Sequence, residues 1–212
     1  SLAAMLAVSL ERFAWLEQVH GNCVVDAAEP LPGTGITLSP DRRTPKAAQL
    51  PQADGVCSSE AQRVCVVLTA DCLPVLFTDR RGTWVAAAHA GWRGLASGIL
   101  ETTVATYQGP PDEVMAWLGP AIGPAAFEVG SEVRQSFVGL DPALAQAFSP
   151  SRHDFGKYFL DLYLAATLRL RNLGVHSIHG GGFCTHTDES RFYSYRRQAV
   201  TGRMASLIYL KS

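Results

Sequence analysis

Three residues far apart in the chain have the types that hold a metal ion. His20 ends Trp15-Leu-Glu-Gln-Val-His20, Cys72 lies in Thr69-Ala-Asp-Cys-Leu-Pro-Val-Leu-Phe77, and His89 lies in Ala87-Ala-His-Ala-Gly-Trp-Arg-Gly94. The runs Leu73–Thr78 and Thr83–Ala90 read as strands joined by the turn Asp79-Arg-Arg-Gly82. A two-residue loop (80 and 81) or a four-residue loop (79 to 82) sets Cys72 directly opposite His89, with Cβ atoms about 5 Å apart. A three- or five-residue loop turns one of them to the other face. That pair suits one shared ion, about 2.3 Å from sulfur and about 2.0–2.1 Å from nitrogen, and His20 is the best third ligand. Two His and one Cys with a vacant fourth position make a catalytic zinc set. Without a metal, Cys72 and His89 read instead as a thiolate nucleophile and its base.

Other polar residues surround this trio. Asp71 points to the opposite strand face from Cys72, where it either orients a ligand from behind or serves as a buried structural carboxylate. Gln18 shares a face with His20 if 15–20 is a strand, so it could bond a ligand or substrate. Arg93 falls where a strand turns into a helix, close to free backbone N–H groups that suit an anion; it could equally cap structure or pair with a carboxylate. Arg196 and Arg197 alternate faces, so at most one reaches a substrate. His176, His179, Cys184 and His186 form a rival metal cluster. It is disfavoured because His176 and His179 fall on opposite faces of the strand expected there.

Positioning these residues requires a mixed layout. Arg63–Ala70 is apolar almost throughout, as in a strand covered on both sides. Further strands are expected at Val114–Leu118, Ser177–His179 and Ser206–Leu210. Helices are expected at Leu95–Tyr107, at Ser131–Val138 and at Lys157–Leu173, the last ending on Gly174. Residues 27–53 read as a long loop, and SLAAMLAVSLERF at the start as a short amphipathic helix. Strands and helices mix without strict alternation, so the expected fold class is α/β (α+β): a mixed-sheet layered sandwich with flanking helices, in a single domain over 1–212.

Composition narrows the partners. With 212 residues, 47% hydrophobic and net charge −1, the chain can fill a core and carries no charge block that would drive nucleic-acid or membrane-surface binding. No apolar run approaches the roughly 18 residues of a membrane span. Five cysteines at irregular spacing make a poor disulfide framework and suit reduced cytoplasmic thiols, with Cys57 and Cys65 in the core.

Five segments together resemble the YfiH/YlmD-like family, often labelled laccase-domain or polyphenol oxidase proteins. They are WLEQVHG (15–21), TADCLPVLF (69–77), AAHAGWRGLASGIL (87–100), GPAIGPAAFEVG (119–130) and FYSYRRQAVTGRMASLIYL (192–210). The resemblance implies a mononuclear zinc site on His20, Cys72 and His89, the residues the hairpin also selects. It implies phosphorolysis of adenosine, inosine, guanosine or methylthioadenosine, with some adenosine deamination, in a monomer or small homo-oligomer. Some members are tied to editing of peptidoglycan precursors. The family label also carries copper oxidation of phenols, but multicopper oxidases need paired His-x-His motifs and many more than the six histidines present here. The sequence also lacks the H-x-E…P-C-x-x-C pattern of the cytidine-deaminase class, so a deamination here would be built differently. Members usually carry a further N-terminal segment with an Arg-bearing strand, with which this chain does not begin. His186 stands where aromatic residues are expected in the family.

Overall fold

The computed structural model describes residues 8–28, 50–152 and 154–211. Its strands are β1 (Phe13–Ala14), β2 (Val24–Asp26), β3 (Gly55–Ser58), β4 (Val64–Thr69), β5 (Leu73–Asp79), β6 (Val85–Ala90), β7 (Val114–Leu118), β8 (Glu128–Gly130), β9 (Phe148–Pro150), β10 (Lys157–Leu160), β11 (Ser177–Gly180) and β12 (Met204–Ile208). The α-helices are α1 (Trp92–Ser97), α2 (Ile99–Val104), α3 (Ser131–Val138) and α4 (Leu162–Asn172).

A six-stranded mixed sheet in the order β11-β7-β5-β6-β3-β2 forms the middle layer. Side-chain alternation splits its two faces. Leu73, Val75 and Phe77 of β5, with Ala86, Ala88 and Ala90 of β6, join the large core with Leu95, Ile99, Leu162, Ala166 and Leu170 of the helices. Leu76, Val85 and Ala87 face the other way and pack with Cys65 and Val67 of β4. The second sheet, β1-β4-β12, therefore lies under the first. Its own far face carries Phe13, Val64 and Val66. Alanine at 86, 88 and 90 lets the helix layer approach closely, and all three are fully buried. A third, small antiparallel sheet has the order β8-β10-β9. The α+β layered class expected from the sequence is the one observed.

Several boundaries differ from expectation for physical reasons. Residues 157–173 do not form one helix. Lys157–Leu160 pairs with both β8 and β9, and Asp161 starts α4 by accepting a hydrogen bond from Leu164 N. The helix expected over 95–107 starts earlier and breaks at Gly98, whose φ of 98° ends α1 and opens α2. The last strand begins and ends two residues before its expected position, at Met204–Ile208. Trp15–His20 is not a strand: its one sheet contact is the bridge Glu17↔Gln52, and His20 has φ 62°. β2 and β3 flank the expected loop, most of which lies outside the described residues. Residues 1–7 of the expected N-terminal helix also lie outside them; Leu10–Arg12 is a short 3-10 turn.

Candidate metal centre and its cavity

The hairpin register is shifted from the expected one. Thr78 pairs with Val85 and Pro74 with His89, so Cys72 sits just before β5 rather than opposite His89. Asp79 causes the shift. Its carboxylate accepts from Thr83 N (2.7 Å), Thr83 Oγ1 (2.8 Å) and Trp84 N (2.8 Å), which closes the loop one residue later at each end. A shift of two in the pairing keeps the face, since side chains alternate with period two. Cys72 and His89 thus still meet.

His20 reaches the same point from the loop before β2. The donor atoms of His20, Cys72 and His89 all lie within 4.8 Å of one another, the only such group of three or more potential ligands among the described residues. Cys72 Sγ is 3.9 Å from His20 Nε2, and the two imidazoles meet edge to face with centroids 4.8 Å apart. Donors around a tetrahedral zinc stand about 3.5 Å apart at ordinary bond lengths, so closing on an ion asks for side-chain movements of about 1 Å. The donor set therefore fits a divalent metal. Gly91 makes room for it: a Cβ there would stand 3.0 Å from Cys72 Sγ and 3.2 Å from His20 Cδ2. Gly94 lets α1 press on the His20 loop, since a Cβ there would stand 2.7 Å from the Gly21 carbonyl oxygen.

A residue that sequence reasoning missed stands behind the trio. Asp54 is fully buried and accepts from His89 Nδ1 at 2.8 Å. It also accepts from the backbone N–H groups of Val19, His20 and Gly21 at 3.2, 2.9 and 2.7 Å. Burial works to raise its pKa, but the hydrogen bonds from His89, Gly21 and His20 outweigh it and hold the carboxyl below its ordinary value. Burial likewise works against the charged forms of Cys72 and His89. The neighbouring imidazoles still bring Cys72 down to about 6, and Asp54 and Cys72 bring His89 up to about 9. The signal available in the sequence was generic: a metal-bound His needs a carboxylate or carbonyl on its other nitrogen, but nothing local marks Asp54.

Asp71, expected either to orient a ligand from behind or to serve as a buried structural carboxylate, makes the hydrogen bonds of the second. With φ 92° it lies outside the strand, and its carboxylate accepts from Thr185 Oγ1 (2.6 Å), Ser194 Oγ (3.0 Å) and Arg196 N (2.7 Å). Its carbonyl accepts from Ile122 N. It ties two loops, the one after β7 and the long one between β11 and β12, to the segment that carries Cys72. Gln18 lines the cavity, but its amide is engaged at both ends with Leu68, donating to the carbonyl at 2.9 Å and accepting from the N–H at 2.7 Å. The left-handed backbone at His20 also removes the alternation that was to place the two on one face.

A cavity of about 590 Å³ opens over the trio, walled by Leu16, Ile122, Phe127 and Leu162 and edged by Arg93, Arg196 and Arg203. Arg93 is within α1 rather than in the turn before it. That helix is six residues long. Among the described residues Arg93 has no carboxylate partner; its guanidinium lies over Trp92, 4.5 Å from the ring centroid. Arg196 lies over Phe127 at 5.3 Å and donates to the Glu128 carbonyl at 3.0 Å. Of the Arg196–Arg197 pair, only Arg196 reaches the cavity. Arg197 is structural: it donates to the carbonyls of Thr185, His186 and Phe192. The rival cluster does not assemble, since Ser177 partners His179 and Cys184 accepts from Gly123 N. His186 does not line the cavity, and its Nδ1 is buried without a partner.

The description "multi-copper polyphenol oxidoreductase laccase" belongs to the family whose sequence pattern matches residues 1–211. A Pseudomonas aeruginosa relative named as a purine nucleoside phosphorylase is 50% identical over 200 residues, covering 94% of this chain and 75% of that protein. The Escherichia coli purine nucleoside phosphorylase YfiH is 50% identical over 196 residues, covering 92% of this chain and 73% of its own length. Among solved structures, Neisseria meningitidis NMB0706 superposes with TM-score 0.87 at 44% identity, covering all of this chain and 78% of that one. YlmD from Geobacillus stearothermophilus gives 0.82 at 32% identity, covering 100% of this chain and 78% of that one.

Proposed function

Because the chain belongs to the multi-copper polyphenol oxidoreductase laccase family, among its YfiH/YlmD-like members, we propose that it is a metal-dependent purine nucleoside phosphorylase. The observation that carries the reading is one cavity with two chemistries: His20, Cys72 and His89 converge on its floor, and Arg93, Arg196 and Arg203 stand on its walls. Relatives at 50% identity that bear the name of this activity support it.

In the proposed reaction an oxygen of phosphate attacks C1′ of the ribose. The C1′–N9 bond breaks, its electron pair leaves with the base, and the base takes up a proton. A zinc ion held by His20, Cys72 and His89 would supply positive charge and Lewis-acid polarisation beside the reacting groups. The chain's own residues do the rest. Arg93, with its charge uncommitted, meets the incoming phosphate; a guanidinium matches phosphate oxygens with two parallel N–H groups. Arg196 is held through its backbone N–H by Asp71 and through its guanidinium by the Glu128 carbonyl, and so keeps a fixed place at the cavity. Phe127 and Trp92, each already under a guanidinium, give the purine flat apolar surface. The apolar wall of Leu16, Ile122 and Leu162 keeps water from competing with phosphate. Adenosine deamination in the same cavity, with water as nucleophile, is a second reaction of this reading. Incubating the protein with inosine, guanosine, methylthioadenosine or adenosine plus phosphate, and following free base and ammonia, tests both. Phosphate-dependent base release is expected; no release from any of these nucleosides would remove the assignment.

One observation favours a second reading. A Cys72 thiol lowered to about 6, beside a His89 whose other nitrogen bonds Asp54, is also the arrangement of a cysteine hydrolase or deamidase. Metal analysis separates the two. An active, metal-free protein inactivated by alkylation of Cys72 supports the hydrolase.

A further inference from the structure

Asp54 holds His89 at both ends and His20 by its backbone. The Asp54 carbonyl accepts His89 N at 2.7 Å, which sets β3 against β6, while the carboxylate accepts His89 Nδ1 at 2.8 Å. The same carboxylate collects the N–H groups of Val19, His20 and Gly21. His20 is one of three non-glycine residues at positive φ among the described residues. Such a conformation costs of order 1–3 kcal/mol and persists where its surroundings over-determine it.

We propose that Asp54 is the positioning residue that assembles the metal site before the ion arrives. This rests on the metal reading given above. The argument is one of hydrogen-bond polarity. All four of these partners are donors: three backbone N–H groups and one ring N–H. Only an acceptor with several lone pairs can take all four, and an ionised carboxylate is the side chain that does so. In either charge state of the ring, the Nδ1 proton lies toward Asp54. That leaves Nε2 as the nitrogen facing Cys72 and His20. One carboxylate thus aims the ring of one ligand and fixes the backbone of another, and the two are no longer independent. An Asn here turns two donors of its own against four donors. It must break either the His89 and His20 contacts, which share one oxygen, or the Val19 and Gly21 contacts, which share the other.

The test uses the full chain as wild type, Asp54→Asn and Cys72→Ser. Zinc affinity is read by chelator competition, cobalt binding by its thiolate absorption bands, and the His89 ring Nδ1–H by NMR. The wild type is expected to bind one ion, and to show a His89 Nδ1 proton shifted downfield and protected from exchange. In Asp54→Asn zinc affinity falls about 10–100-fold, and the resonance is lost when the amide oxygen stays with residues 19 and 21 and kept when it turns to His89. Cys72→Ser, which leaves the Asp54 contacts in place, keeps the protected resonance while losing the ion. An Asp54→Asn protein that binds zinc as tightly as wild type overturns the inference. So does a wild-type protein whose His89 Nδ1 proton exchanges freely, a measurement that does not depend on the variant folding. A wild type that binds no divalent ion removes the metal reading instead, and the NMR readout then still decides whether Asp54 grips His89.

Discussion

Two buried aspartates flank the ligand trio, and they hold different things. Asp54 takes a titratable imidazole and three backbone N–H groups from one short loop. Asp71 takes two hydroxyls and one backbone N–H from residues more than a hundred positions away. Asp54 works on the direction of ligands. Asp71 works on the closure of the cavity, since it ties down Thr185, Ser194 and Arg196 and receives Ile122 N on its carbonyl. Residue type and burial therefore do not assign a role; the donors do.

The difference can be broken by substitution, most strongly at the ligand between them. Cys72→Ser should abolish stoichiometric metal binding and lower phosphorolysis by more than the roughly 10–100-fold that loss of an outer partner costs; metal analysis with steady-state kinetics reads both. Asp71→Ala should instead leave the buried hydroxyls of Thr185 and Ser194 without their acceptor. The cost is about 2–6 kcal/mol, from about 1–3 for each of the two stranded groups. Thermal unfolding should fall by about 2–4 °C per kcal/mol for a chain of this size, with metal stoichiometry retained. Loss of metal without loss of stability in Asp71→Ala would reverse the two roles.

The two arginine neighbours sharpen the contrast between cavity and scaffold. Arg93→Ala removes an exposed guanidinium without a carboxylate partner, so stability should change by within about 0.5 kcal/mol. KM for phosphate should rise about tenfold or more, as loss of a charge-assisted bond implies. Arg197→Ala should do the opposite, destabilising through three lost carbonyl contacts and leaving KM unchanged. Kinetics at varied phosphate, with melting curves, distinguish them.

The smallest effect expected is at Asp79, which sets the hairpin register from outside the site. Burial works against its charge, but hydrogen bonds from Thr83 and Trp84 lower its pKa below the ordinary value. A carboxyl depressed in the fold contributes stability that is present above its unfolded value and lost as pH falls through the folded one. Stability of the wild type should thus decline through the acid range below about pH 4, and Asp79→Asn should flatten that part of the profile. An unchanged profile in denaturant titrations would show that Asp79 contributes nothing there.

The sequence pointed to the three ligands because type and face survive small errors of register. The turn at 79–82 was misjudged by one residue on each side, yet the pairing moved by two and His89 still faces Cys72. Parity, rather than register, is what the hydrophobic alternation of Leu73, Val75 and Phe77 encodes. What stayed illegible was everything that depends on long-range polar contacts. Nothing near Asp54 marks it as the partner of His89, and nothing near Asp71 foretells Thr185 or Ser194. Backbone conformation was equally hidden: His20, at positive φ, reads as the end of a short strand over Trp15–His20 that stops at Gly21. Lys157–Leu160 carries a helix-like spacing toward Leu162 and Ala166, and the pairing with β8 and β9 overrides it. The Asp161 cap was the available sign that the helix starts later.

The most direct test couples metal content to phosphate-dependent base release in the same preparation. The protein is stripped with a strong chelator, assayed with inosine and phosphate, then reloaded with zinc in steps. The account predicts that activity falls away with the metal and returns in proportion to it, saturating at one ion per chain. Undiminished base release from the stripped protein would contradict it.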